Sequence, residues 1–134
     1  STQMVRRFSF IVDEPAKLGG GDHGPTPLEY VLGAYNGCLQ IVIVMIAREL
    51  SIEVRDLAIE SVATVDRRGL FGTAAVSPHF QSIETEIVLT AAGESGLLEQ
   101  LKERLYARCP MYNLIKDAGV RQEIRWHAQG NGSG

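Results

Sequence analysis

Cys38 and Cys109 are the residues of this chain whose chemistry is easiest to name. A thiolate is a nucleophile and a metal ligand, and two thiols brought together exchange electrons by forming a disulfide. Their settings differ. Cys38 lies within an apolar run, where a free cysteine ordinarily serves as a small core residue. Cys109 sits between Arg108 and Pro110, at the cap of a new helix whose dipole stabilises a thiolate. On the residues alone, Cys109 is expected to be the more acidic thiol and Cys38 the buried one. Other chemistries are poorly served. His23, His79 and His127 are scattered, with no CxxC or HxxxH spacing, so no metal site is expected. Gly19-Gly20-Gly21 lacks the Lys-Ser/Thr of a P-loop and the spacing of a dinucleotide fingerprint, so it reads as a loop that presents the next helix. No cofactor is expected. A Cys–His hydrolase dyad finds no local support.

The element that must position Cys38 is Thr26–Leu50. Thr26 at the cap, Pro27 at the first helical position and Glu29 at the third form a capping box. From Tyr30 to Ala47 no residue is charged. A surface helix carries one apolar stripe; this one is apolar nearly all round and is expected to be buried on most sides. Unbroken, it would span roughly 36 Å, more than one small domain readily surrounds, so a second subunit is expected to help cover it. Asn36, Gln40, Gly33 and Gly37 in its middle argue against a membrane span, as do flanks without a one-sided Lys/Arg cluster. Gly33 and Gly37 form a GxxxG step, which lets another backbone approach closely next to Cys38.

Around that helix the chain alternates between two periods. Val5–Asp13 reads as one strand with Phe8, Phe10 and Val12 on one face. Glu14–Pro25 is a loop. Glu53–Val65 and Ser82–Thr90 read as antiparallel strand neighbours, with Leu57, Ile59 and Ala63, and Ile83, Ile87 and Leu89, facing inward. The connection Asp66–His79 is long enough for a lid or a wide hairpin. Leu97, Leu98, Leu101 and Leu105 mark an amphipathic helix over Gly96–Arg108, which Cys109-Pro110 breaks. Met111–Ala118 is a second short helix, and Val120–His127 a last strand with Val120, Ile124 and Trp126 inward. The order β-α-β-β-α-α-β predicts an α+β fold, helices packed on a mainly antiparallel sheet. One domain over residues 1–128 is expected, with 129–134 a disordered polar tail. A net charge of −3 with mixed signs argues against a nucleic-acid surface. Two cysteines are no secreted disulfide framework, so a cytoplasmic protein with reduced thiols is expected.

Leu18-Gly19-Gly20, Gly24-Pro25-Thr26-Pro27-Leu28-Glu29-Tyr30, Tyr35-Asn36-Gly37-Cys38 and Cys109-Pro110-Met111-Tyr112-Asn113, in this order, resemble the OsmC/Ohr family: osmotically inducible protein C and the organic hydroperoxide resistance proteins. The likeness runs from about Asp13 to Trp126. It implies an intertwined homodimer of α+β subunits with the cysteine helices at its centre. It also implies a thiol peroxidase acting on organic hydroperoxides, regenerated by a dithiol reductant. By position, Cys38 matches the peroxidatic cysteine and Cys109 the resolving one, which reverses the ranking drawn from the residues alone. Two positions depart from the family pattern. Leu28 stands where many family peroxidases carry Glu directly after the Pro, so Glu29 is left to the cap. The family's active-site Arg comes from an N-terminal hairpin, which a single strand over Val5–Asp13 does not provide. Arg6, Arg7 and Arg108 are the candidates for a cation near the thiol. The other reading is a non-catalytic protein of the same fold. It would bind an apolar small molecule at the dimer interface, lined by Tyr30, Tyr35, Met111 and Tyr112.

Overall fold

In a computed structural model of the chain, which describes residues 1–93 and 96–130, the expected capping box is closed reciprocally. The Thr26 backbone N–H donates to Glu29 Oε1 at 2.9 Å, and the Glu29 N–H donates to Thr26 Oγ1 at 3.2 Å. Two donors that a helix start leaves orphaned are thereby satisfied. The helix that follows, α1, runs Pro27–Glu49. The chain divides into two compact units, Ser1–Ala34 and Tyr35–Gly134, and α1 contributes to both.

In the first unit Val5–Asp13 is not one strand. β1 (Thr2–Val5) and β2 (Phe8–Ile11) form an antiparallel hairpin in which Val5 pairs with Phe8. Arg6 and Arg7 make its two-residue loop. Arg6 has φ of +55°, the left-handed conformation that tight hairpin loops demand and that Gly or Asn would normally supply. Both guanidinium groups lie over the Phe8 ring, at 5.0 and 4.8 Å from its centroid. A hairpin carrying arginines at its turn is therefore present where a plain strand was expected.

The glycine loop closes on itself. The Asp13 carboxylate accepts N–H bonds from Glu14, Gly21 and His23, which hold its pKa below the usual carboxylate range. Gly20 leaves no room for a side chain: a Cβ there would lie 2.2 Å from the Glu14 carbonyl oxygen. With the Gly21 and His23 N–H groups turned onto Asp13, the loop is a support for the helix start and not a phosphate cradle.

In the second unit β3 (Glu53–Val65), β4 (Phe80–Ala92) and β5 (Arg121–Gln129) form one sheet in that order. β3 and β4 are antiparallel, as expected; β5 lies parallel to β4. The parallel pairing follows from α3 (Gly96–Arg108) and α4 (Pro110–Asp117), which carry the chain back across the sheet before β5 begins. The sheet is thus mixed. Its inner face presents Ile83, Thr85, Ile87 and Leu89, all buried, and α1 answers with Tyr35, Leu39, Val42, Ile43, Ile46 and Ala47. Leu101 and Leu105 of α3 complete the core. The Asp66–His79 connection contains a single helical turn, α2 (Arg68–Phe71), capped at Gly72. Of the tail expected over 129–134, Gln129 belongs to β5, and 131–134 lie outside the described residues.

One face of α1 remains bare. Only 33% of its most apolar stretch is buried, and Ile41 and Met45 stand 70% and 42% exposed. By length and composition alone this helix would cross a membrane; its packing on the sheet makes it a core helix. Replacing Thr26 by Ala is expected to cost about 1 kcal/mol through loss of the cap. A denaturant titration checks this by a lower midpoint at unchanged slope.

Candidate redox site

The two thiols meet. Cys38 lies on α1 one turn after buried Tyr35, at the border between the packed stripe and the bare one, and is half-buried. Cys109 is fully buried between α3 and α4. Its sulfur lies 3.6 Å from that of Cys38, and its thiol donates toward it. Pro110 explains the placement. It ends α3 at Arg108 and opens α4 at the first helical position, leaving Cys109 with extended backbone as the cap. Cys109 Sγ accepts the Tyr112 backbone N–H at 3.5 Å.

The cap was read correctly, and the acidity inferred from it was not. Burial pushes the Cys109 thiol up to about 11, with the Cys38 sulfur adding to the rise and the Tyr112 N–H opposing it. Desolvation of a charge outweighs the N–H contacts of Tyr112 and Met111 and the dipole of a short helix. The expectations that the cap makes the Cys109 thiol acidic and that Cys38 is the buried one are therefore overturned.

Of the candidate cations, Arg108 is held in an ion pair. Arg108 makes a bidentate pair with Glu49 at 2.7 and 2.8 Å, and Arg104 approaches the same carboxylate at 3.6 Å. This pairing holds Glu49 below its usual pKa and ties the end of α3 to the end of α1. Arg6 and Arg7 belong to the hairpin of the first unit. Glu29 is occupied by the cap.

Polar residues close in sequence to the two thiols bond to inward polar positions of the sheet. Asn36 Oδ1 accepts from Ser61 Oγ at 2.6 Å, and Ser61 Oγ lies 2.8 Å from the Thr85 hydroxyl. The Tyr35 hydroxyl donates to Gln122 Oε1 at 2.7 Å, and Gln122 Nε2 donates to the Tyr112 carbonyl at 3.1 Å. Burial raises the Tyr35 phenol to about 12. Asn113 Nδ2 fastens the α3–α4 joint by donating to the Tyr106 and Cys109 carbonyls, both at 2.9 Å. The signal was present in the pattern: Ser61, Thr85 and Gln122 are polar residues at inward positions of three strands, and each buried polar group needs a partner.

Three of the four residues expected to line an apolar ligand site make internal contacts. Tyr35 is wholly buried, and Tyr112 packs on Tyr106 with ring centroids 5.0 Å apart. In the first unit the Tyr30 hydroxyl donates to the Ile11 carbonyl. An apolar hollow of about 280 Å³ does exist at the Ala91–Ala92 end of the sheet, lined by Ile52, Leu89, Leu98 and Ala128, and none of the four expected residues lines it. Among the described residues no group of three or more His, Cys, Asp or Glu is placed to hold a metal ion.

Residues 19–125 match the family described as OsmC-like protein. The chain belongs to that family. An OsmC-like protein from Mycoplasma pneumoniae superposes with a TM-score of 0.78 at 14% identity, covering 95% of this chain and 86% of that one. The organic hydroperoxide resistance protein OsmC of Legionella pneumophila superposes at 0.59 with 17% identity, over 91% and 82% of the two chains. An organic hydroperoxide resistance protein of Elizabethkingia anophelis gives 0.60 and 17%, over 92% and 82%. At these identities the solved structures establish the OsmC-like fold. The chain matches no curated protein.

The site sets a direction for pH dependence. A thiol whose folded pKa lies above its unfolded value binds its proton more tightly in the fold. Cys109 therefore contributes stability that is complete below about pH 9 and lost as pH rises toward about 11. Buried Tyr35 adds a loss of the same sign further up. Denaturant titrations from pH 8 to 11 are expected to show a steeper fall in wild type than in Cys109→Ala. Peptide mapping after brief alkylation near neutral pH is expected to find Cys38 labelled at least about tenfold faster than Cys109, whose thiolate fraction is small.

Proposed function

We propose that this OsmC-like protein is a thiol peroxidase that reduces organic hydroperoxides through Cys38 and Cys109. The observation that carries the reading is the 3.6 Å separation of two free sulfurs, one half-exposed and one buried beneath it. The names of the hydroperoxide resistance relatives agree with it. Burial supports the peroxidatic role of Cys38 and the resolving role of Cys109: Cys38 is only partly buried, and Cys109 is shielded and protonated at neutral pH.

The cycle balances with these two thiols and a reductant. The Cys38 thiolate attacks one peroxide oxygen; an S–O bond forms as the O–O bond breaks, and the alkoxide leaves as the alcohol after taking a proton. Cys38 is then a sulfenic acid, oxidised by two electrons. The Cys109 sulfur attacks the Cys38 sulfur, the S–O bond breaks, and hydroxide leaves with the Cys109 proton as water. An external dithiol reduces the resulting disulfide, its second sulfur closing a ring that releases both protein thiols.

We further propose a homodimer that covers the bare face of α1. Ile41 and Met45 lie on that face, and a Cβ at Gly37 would meet no described atom within 4 Å. A helix backbone with that clearance beside the thiol fits close approach of a second copy. Two reduced thiols in a pair fit a cytoplasmic setting, and the mixed surface charge fits neither nucleic acid nor membrane as partner. The reading as a non-catalytic binder of apolar molecules has less support, because Tyr35 and Tyr112 are committed to internal contacts.

A slight excess of an organic hydroperoxide is expected to convert the reduced protein to a Cys38–Cys109 disulfide. Cys109→Ser should instead let Cys38 pass to sulfinic and sulfonic acid, detectable by mass. Consumption of hydroperoxide no faster than by the double Cys→Ser variant, with no bridged peptide, would overturn the enzyme reading. Sedimentation should show a species of twice the chain mass, and Gly37→Leu should shift it toward the monomer.

A further inference from the structure

Gln122 of β5 bonds both to α1, which carries Cys38, and to the first turn of α4, which Cys109 caps. Its Oε1 accepts from the Tyr35 hydroxyl, one helical turn before Cys38 on α1. Its Nε2 donates to the carbonyl of Tyr112, one turn after Cys109 on α4. The amide orientation is dictated by its partners. The Tyr112 carbonyl only accepts, so the NH₂ group must face it, which leaves the oxygen for the phenol. Glutamine alone combines an uncharged donor and acceptor with this reach; asparagine is one methylene shorter.

The two helices are not held equally. α1 is pinned to the sheet at two adjacent residues, Tyr35 through β5 and Asn36 through Ser61 of β3, with Thr85 of β4 closing the second contact. Thr85 is itself fully buried and stands opposite Ser61 in the ladder. The first turn of α4 is fastened by Asn113 to the end of α3, not to the sheet. Among the described residues its one side-chain bond to the sheet is that from Gln122 to Tyr112. Disulfide formation requires the sulfurs to close from 3.6 Å to about 2.05 Å. With α1 pinned, the approach is made by the Cys109 end of α4, against or along the Gln122 link.

We propose that Gln122 is a positioning residue for the thiol pair, its amide holding the first turn of α4 at the distance from α1 at which Cys109 captures Cys38. The proposal rests on the reading of Cys38 and Cys109 as a redox pair. Cys38 is anchored independently of Gln122 through Asn36 and the buried stripe, so loss of the amide should act on closure of the disulfide and not on the first attack.

Gln122→Met keeps the length and removes both hydrogen bonds; Tyr35→Phe removes only the phenol and serves if the first variant does not fold. Each is equilibrated with oxidised and reduced dithiothreitol, which needs no hydroperoxide. The disulfide-forming equilibrium constant of Gln122→Met is expected to fall about tenfold, equivalent to about 30 mV for a two-electron couple, with a smaller fall for Tyr35→Phe. In a hydroperoxide pulse, trapping of the sulfenic acid by a dimedone-type reagent should proceed at the wild-type rate in Gln122→Met while the bridge forms about tenfold more slowly. Equilibrium constants within twofold of wild type in every variant that folds would overturn the role of Gln122 and leave the peroxidase reading standing. Wild type that forms the bridge with dithiothreitol yet consumes no hydroperoxide would overturn the peroxidase reading while the equilibrium test of Gln122 still decides. Slowing of both the first attack and the closure to the same extent would mark a general structural effect and overturn the positioning role.

Discussion

The packing of one stripe of α1 on the inner face of the β3–β4–β5 sheet is the interaction on which the second unit rests. Tyr35, Leu39, Val42, Ile43, Ile46 and Ala47 recur at helical spacing and meet Ile83, Ile87 and Leu89 from the sheet. Full burial of each large aliphatic side chain contributes about 1.5–3 kcal/mol before chain entropy is set against it. The same packing sets the exposure of Cys38. It lies at the edge of the stripe, close enough to the core to reach Cys109 and far enough out to meet solvent. Rotation of the helix by one residue's arc would bury that sulfur or turn it away from its partner.

Cys109 illustrates two opposed effects at one atom. Pro110 makes it a helix cap, and a cap position favours the thiolate through backbone N–H groups and the helix dipole. The α3–α4 joint, locked by Asn113, leaves Cys109 with no exposed surface and removes water from the same atom. Dehydration acts directly on the charge, and the backbone N–H groups of Tyr112 and Met111 oppose it only in part, so the thiol stays protonated. A shielded, protonated sulfur next to an accessible one gives the pair an inherent asymmetry.

Local features were legible because local forces produce them. The capping box needs only residues in one helical turn; the break at Cys109-Pro110 needs only a proline ring; strand alternation in β3, β4 and β5 reports which face is dry. The N-terminal hairpin escaped because Phe8, Phe10 and Val12 continue an alternating pattern, and Arg6-Arg7 is not a turn dipeptide that sequence makes conspicuous. Its left-handed Arg6 is sustained by the ladder from Thr2–Ile11 to Val5–Phe8 and by two guanidinium groups on Phe8, neither of which local propensity registers. The parallel direction of β5 escaped likewise, because the alternation of a strand is the same whichever way its neighbour runs.

By itself, the sequence determined the helix that carries Cys38, the cap that carries Cys109, the inward faces of three strands and an α+β order of elements. Each of these depends on spacing within a few residues, and the ordered motifs also carried the likeness to the OsmC family. Only the tertiary structure decided that the sulfurs lie 3.6 Å apart, that Cys109 is the buried one with its thiol pushed up by desolvation, and that Arg108 is taken by Glu49. It alone joined Tyr35, Gln122 and Tyr112 across three elements. Those outcomes depend on which distant segments share a neighbourhood, and desolvation and ion pairing are properties of that neighbourhood rather than of the residues that enter it.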